Sequence, residues 1–195
     1  MQGVLNGAEF NNPRRLQRWL LRAGGWRNAN AKQEGGIWNP KPVKLRRGLV
    51  LYRVGHSTGE LGAVPDEANL SRPWWLEGET FQEIAISSNV VGIDRHTMAR
   101  LKLSVSPRYG VFDTVFCVRL RDTVGALRGE GNVVFDPPDS GHTGAPTIWA
   151  WSPSGVMQCF VPGLQDFHDR PTGLAQKLFE LLAKFPVSAW QMIDK

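Results

Sequence analysis

Cysteine is scarce in this chain: Cys117 and Cys159 are the only two among 195 residues. Two thiols cannot staple a small secreted scaffold, and without other ligands they cannot build a zinc site. The four histidines show no ligand spacing, so no metal is expected. Both cysteines sit in apolar, strand-like runs and are expected to be buried thiols in a reducing compartment. No run of about eighteen apolar residues occurs, which excludes a membrane-spanning helix. The opening MQGVLNGAEF has neither a basic flank nor an apolar core, so no secretory signal is expected. Internal repeats, low-complexity tracts, GxGxxG and Walker-type phosphate loops are absent too.

Aromatic residues are plentiful. Eight Trp and nine Phe supply a sizeable core, while 21 Gly and 13 Pro imply short elements joined by many loops. That balance points to one α+β domain rather than a helical bundle. The net charge of +5 favours acidic partners such as nucleotides, nucleic acid or an anionic membrane surface.

Asn12-Pro13 opens a helix, with Leu16, Trp19, Leu20 and Ala23 as its apolar stripe. Arg14, Arg15, Arg18 and Arg22 lie around the rest of it: a solvated face, or a docking face for nucleic acid or protein. Residues 26–42 read as a connecting segment, and 41–47 as a basic cluster. Strands are expected at 49–54, 101–106, 111–120 and 132–135, and helices at 79–91 and 172–185. Residues 124–131 read as a turn or short helix. In 147–162, TIWAWSPSGVMQCFVP, two alternating runs flank a Ser-Pro-Ser-Gly turn, which predicts a hairpin. The polar loop before it carries His142.

Two polar residues interrupt apolar strands. Arg53, in LYRV, costs heavily if buried without an anion; it emerges into solvent or grips a phosphate or carboxylate. Gly55 and His56 follow in a small hydrogen-bonding loop. Gln158 is the one amide on its strand, and it faces solvent, finds partners or serves a ligand. In Pro73-Trp74-Trp75, adjacent tryptophans point to opposite sides, so one can enter the core while the other offers a stacking surface for a ring.

An early arginine strand, LYRVG, and a late strand ending QCFVP resemble the ADP-ribosyltransferase superfamily, chiefly its bacterial toxin branch with its NAD glycohydrolase relatives. The resemblance covers roughly residues 46–165. It implies short mixed or antiparallel strands forming a split β-sandwich around a nucleotide cleft, with helices on the flanks. It divides the chain into an N-terminal helix and arm, 1–45, and a catalytic domain, 46–195. NAD is then the substrate and no metal is needed. By this resemblance Arg53 binds the dinucleotide phosphates and Gln158 takes the place of a catalytic acid four residues before Pro162. Gly55, His56, Trp74 and Trp75 would contact NAD. Ser71 is a candidate for the family's serine motif, beside Ser87 and Ser88, and Glu130 in GEGNVVF is a back-up carboxylate. A neutral Gln158 holds the ribose hydroxyl but stabilises developing positive charge less than glutamate does, which favours attack by water. Glutamate at this position is expected to retain cleavage. The resemblance further implies a toxin or effector acting in the cytoplasm, delivered into another cell, with a macromolecular acceptor and a cognate inhibitor protein. Two rivals stand beside it: a basic nucleic-acid-binding module without catalysis, and a catalytically inactive domain of the same fold.

Overall fold

The fold follows from a computed structural model, which describes residues 4–24, 26–27, 33–34, 36–59, 62–105, 111–132, 134–135, 150–151 and 156–190. The principal strands are β1 (Ile37–Leu45), β2 (Val50–Gly55), β3 (Trp74–Glu77), β4 (Thr114–Leu120), β5 (Val124–Gly131), β6 (Met157–Phe160) and β7 (Phe179–Pro186). They form one seven-stranded sheet in the order β7-β4-β2-β3-β6-β5-β1. Every neighbouring pair is antiparallel. The helices are α1 (Gly7–Phe10), α2 (Pro13–Ala23), α3 (Asp66–Leu70), α4 (Gly78–Val91), α5 (Arg95–Leu103) and α6 (Leu174–Leu178). The architecture is α+β, as its composition indicates.

The short strand β3 is where the sheet divides. Its first half pairs with β6, through Trp74↔Phe160 and Trp75↔Cys159. Its second half pairs with β2, through Leu76↔Tyr52 and Glu77↔Leu51. Beyond Tyr52 and Leu76 the strands β2 and β3 part, and a gap opens between the two halves of the sheet.

Three apolar clusters cover the sheet. Phe81 and Ile84 of α4 and Met98, Ala99 and Leu103 of α5 pack on Tyr52, Val54, Leu76 and Val115. Phe81 lies between two aromatic partners, stacked at 4.0 Å on both Tyr52 and Trp190. Ala175 and Leu178 of α6 cover Leu51, Trp75, Val118 and Cys159. Trp19 and Ala23 of α2 close over Ile37, Leu127 and Phe160. Cys117 and Cys159 are both buried and free.

The helix α2 starts where the sequence marks it, with the Asn12 side chain accepting from the N–H groups of Arg14 and Arg15. Helix α4 also matches its expected span, and the Thr80 hydroxyl in its first turn donates to the Met157 carbonyl and ties α4 to β6.

Five expectations are corrected. Of the stretch expected as a strand at 101–106, residues 101–103 are the last turn of α5 and residue 106 lies outside the described residues. Asp94 caps that helix by accepting from Thr97 N–H, and Ser104 ends it in the left-handed region at φ 53°. Of the helix expected at 172–185, only Leu174–Leu178 is helical, and β7 follows. A register shift between Leu181 and Ala183 resets the strand's alternation, so its apolar spacing imitates a helix. Residues 124–131 form a full strand, whose Gly125 and Gly129 leave room for Phe10 and Ile37. The end of the connecting segment and the start of the basic cluster form the nine-residue edge strand β1, whose exposed Lys41 and Lys44 and two prolines discourage further pairing. The boundary drawn at residue 45 therefore falls at the end of a sheet strand paired with β5. Finally, Ala150–Trp151 pairs with Val134–Phe135, while β6 pairs with β3 and β5. The expected turn at 152–155 and the His142 loop lie outside the described residues.

Candidate functional site

A cavity of about 430 Å³ opens where the two halves of the sheet part. Arg53 and His56 reach it from β2 and the loop after it, Arg72, Trp74, Trp75 and Leu76 from β3 and its approach, and Gln158 from β6. Leu103, Ser104 and Phe112 complete the lining. Residues more than a hundred positions apart in sequence thus border one cavity, and among the described residues no Asp or Glu lines it.

Arg53 stands one residue beyond the last β2–β3 ladder pair. Its Nη1 donates to the Trp74 carbonyl at 2.9 Å, a group left free where the strands part. Its Nε has no partner, and the residue is only 9% exposed. Burial first, then the Arg72 charge, lower the guanidinium to about 9, which leaves it charged at neutral pH. A buried cation without a carboxylate costs stability that only an incoming anion can return.

Gln158 is 8% exposed on a strand paired on both sides. That excludes the exposed-edge reading. Its Nε2 donates to the Leu103 carbonyl at 3.1 Å, one of the free carbonyls at the end of α5. The bond fixes the amide: nitrogen toward the helix, Oε1 left as the acceptor toward the cavity.

His56 is held equally firmly. Its backbone N–H donates to Asn69 Oδ1 at 3.1 Å, and its carbonyl accepts from Asn69 Nδ2 at 2.9 Å. Its Nδ1 accepts from the Phe112 N–H at 3.0 Å, so the proton of the neutral ring sits on Nε2. Burial, then Arg53, hold His56 below its ordinary range and keep it neutral. His56 is therefore a hydrogen-bond donor rather than a base. Next to it, Asp113 accepts from the backbone N–H and hydroxyl of Ser57. Burial raises Asp113, but these bonds and the Thr114 hydroxyl outweigh it and hold the carboxyl below its usual range.

The remaining expected residues divide. Trp74 is half-buried at the cavity, edge-on to Phe160 at 5.0 Å. Trp75 borders the cavity too but is buried against Phe179 at 4.4 Å, with its Nε1 on the Arg72 carbonyl. Gly55 serves packing: a Cβ there would overlap Asn69 Oδ1 and come within 3.1 Å of the Phe116 ring. Ser71 is buried with an unpartnered hydroxyl and does not line the cavity. Ser88 is also absent from the lining; it is buried on α4, its hydroxyl on the Ile93 carbonyl at 2.6 Å. Glu130 is paired with Met157, one residue from the Gln158↔Gly129 pair, so it faces the other side of the sheet, exposed. Sequence reasoning missed Arg72, Ser104 and Phe112. Arg72 had a signal, a cation between Ser71 and the tryptophans. Ser104 and Phe112 had none, because a left-handed conformation at each (φ 53° and 61°) turns them to the site.

A second cavity, of about 420 Å³, lies between α1, α2 and residues 163–174. Its charges are already matched: Arg15 with Glu9, and Arg170 with Asp166. Arg18 lies over the Phe167 ring at 3.7 Å, and Arg22 pairs with Asp169. Arg15, Arg18 and Arg22 thus each have a partner within the domain, while Arg14, Arg15 and Arg18 are exposed to solvent.

Among the described residues no group of three or more His, Cys, Asp or Glu is arranged to hold a metal ion. Nor is any helix among them long and apolar enough to cross a membrane.

No family model and no curated protein matches this chain. Among solved structures, one described as Rhs1-CT in complex with cognate immunity protein RhsI1 is similar. It shares 11% identity over 82% of this chain and 87% of that chain, with a TM-score of 0.45. A likeness this loose says nothing of what the chain does.

Proposed function

We propose that this protein cleaves the nicotinamide–ribose bond of NAD, with water as the favoured acceptor. The observation that carries the reading is the meeting of Arg53 and Gln158 at one cavity that no carboxylate lines among the described residues. Arg53 supplies a buried, unneutralised cation for the dinucleotide phosphates. Gln158 Oε1 accepts the hydrogen bond of a ribose hydroxyl, and His56 Nε2–H donates to a ligand oxygen. Trp74 gives an aromatic edge for a ring. In the reaction the carbon–nitrogen bond breaks with its electron pair leaving on the nicotinamide nitrogen. Water then attacks the anomeric carbon and loses a proton to solvent. Cation development at that carbon is stabilised by the dipole of Gln158 Oε1 rather than by a full charge. His56, with Nδ1 occupied, is not the base for the water.

On the family resemblance the reading extends to a toxin or effector that meets NAD in the cytoplasm and is held in check by a cognate inhibitor. For the nucleic-acid reading, Arg14, Arg15 and Arg18 of α2 are exposed, though Arg15, Arg18 and Arg22 already have partners within the fold. Incubating the protein with NAD and following free nicotinamide tests the proposal. Release above the no-enzyme rate that is lost in Arg53→Ala supports it. No release, with NAD unbound at millimolar concentration, refutes it.

A further inference from the structure

Arg72 is a charged cavity residue to which the NAD reading gives no role. Its backbone is fixed: the N–H donates to the Asn69 carbonyl at 3.1 Å, and the carbonyl accepts from Trp75 Nε1 at 3.0 Å. Its side chain is exposed at the cavity mouth, near enough to Arg53 for the two charges to oppose each other. Elsewhere Arg22, Arg128 and Arg170 pair with Asp169, Glu77 and Asp166. Among the described residues neither Arg53 nor Arg72 meets a carboxylate, and Arg53 Nε is both buried and unpartnered. Two like charges facing one cavity with no counter-ion are relieved by a ligand that carries two negative charges close together.

We infer that Arg72 and Arg53 form a two-point clamp for a ligand with two adjacent phosphates, and that Arg72 sets the preference for diphosphate over monophosphate. A single phosphate satisfies the buried Arg53 alone. A diphosphate reaches outward to Arg72 as well, and the fixed backbone of Arg72 limits the ordering this requires. The clamp rests on the NAD reading for its natural ligand, a dinucleotide, but not for its chemistry.

The test is calorimetric titration of the whole chain with inorganic pyrophosphate and with inorganic phosphate, at constant ionic strength. The proteins are wild type, Arg72→Gln, and Arg121→Gln as an exposed arginine away from the cavity. Pyrophosphate should bind more tightly than phosphate. Arg72→Gln should weaken pyrophosphate about tenfold or more and phosphate by no more than about twofold, as loss of one charge-assisted contact does. Arg121→Gln should change neither. Equal affinity for the two anions, or pyrophosphate binding indifferent to Arg72→Gln, overturns the clamp. Pyrophosphate binding that needs Arg72, in a protein that releases no nicotinamide, upholds the clamp and refutes the NAD reading. Nicotinamide release from limiting NAD that is untouched by Arg72→Gln overturns the clamp alone.

Discussion

Replacing Gln158 by Glu changes one amide nitrogen to oxygen, and the structure reverses the effect expected from sequence. By resemblance a carboxylate at this place restores the usual acid and retains cleavage. Yet Gln158 Nε2 donates to the Leu103 carbonyl at 3.1 Å, at the C-terminal end of α5. A carboxylate there sets oxygen against oxygen, at the negative end of a helix. Loss of the bond and a buried acceptor without a donor cost about 1–3 kcal/mol. Protonating the glutamate restores a donor, so its folded-state pKa must rise above that of the unfolded chain. The deficit is therefore smallest below about pH 4, and it grows as pH rises through the folded-state value. In a chain of this size 1 kcal/mol moves the melting temperature by about 2–4 °C. Thermal melts at pH 4.5 and pH 7.5 should show Gln158→Glu near wild type at the lower pH and several degrees below it at the higher. Nicotinamide release at neutral pH should fall with it. A Gln158→Glu protein as stable and as active as wild type at pH 7.5 would show that the Leu103 bond does not fix the amide.

Other perturbations test the surrounding framework. Gly55→Ala forces a Cβ onto Asn69 and Phe116, so it should lower the melting temperature and loosen His56; wild-type stability would contradict the close packing there. Asp113 is held below its usual range, so its contribution is present above about pH 4 and lost as pH falls through its folded-state value. Asp113→Asn should therefore flatten the acid limb of a stability–pH curve, and an unchanged limb would remove Asp113 from it. Arg22→Gln loses its contacts with Asp169 and the Asp166 carbonyl, so it should cost up to about 1 kcal/mol in a urea melt. If it instead weakens nucleic-acid binding at constant stability, the basic-module reading returns.

The parts of the fold legible in sequence were those with a local physical cause. Asn12-Pro13 marks the start of α2 because its cap is a bond between near neighbours. Strand β2 and helix α4 carry strong patterns and lie near their expected bounds. What was not legible depends on distant partners. Strand β5 is glycine-rich because Phe10 and Ile37 lie on it, and β7 hides its alternation behind a bulge. The stretch at 101–106 alternates like a strand, but Asp94 starts a helix seven residues earlier. At the site, Arg53 and Gln158 were visible because each breaks an apolar strand. The hydrogen-bond partners that define their chemistry, Trp74 and Leu103, are backbone carbonyls, which leave no mark on the sequence.

Nicotinamide released from NAD by wild type and by Arg53→Ala, followed beside a thermal melt of both proteins, tests the central claim most directly. The site predicts release by wild type and loss of about a hundredfold or more in Arg53→Ala at unsaturating NAD, from several charge-assisted bonds lost together. The melt should show a folded variant, because removing an uncompensated buried charge offsets the lost bond to Trp74. Release that continues undiminished in a folded Arg53→Ala protein would contradict the account.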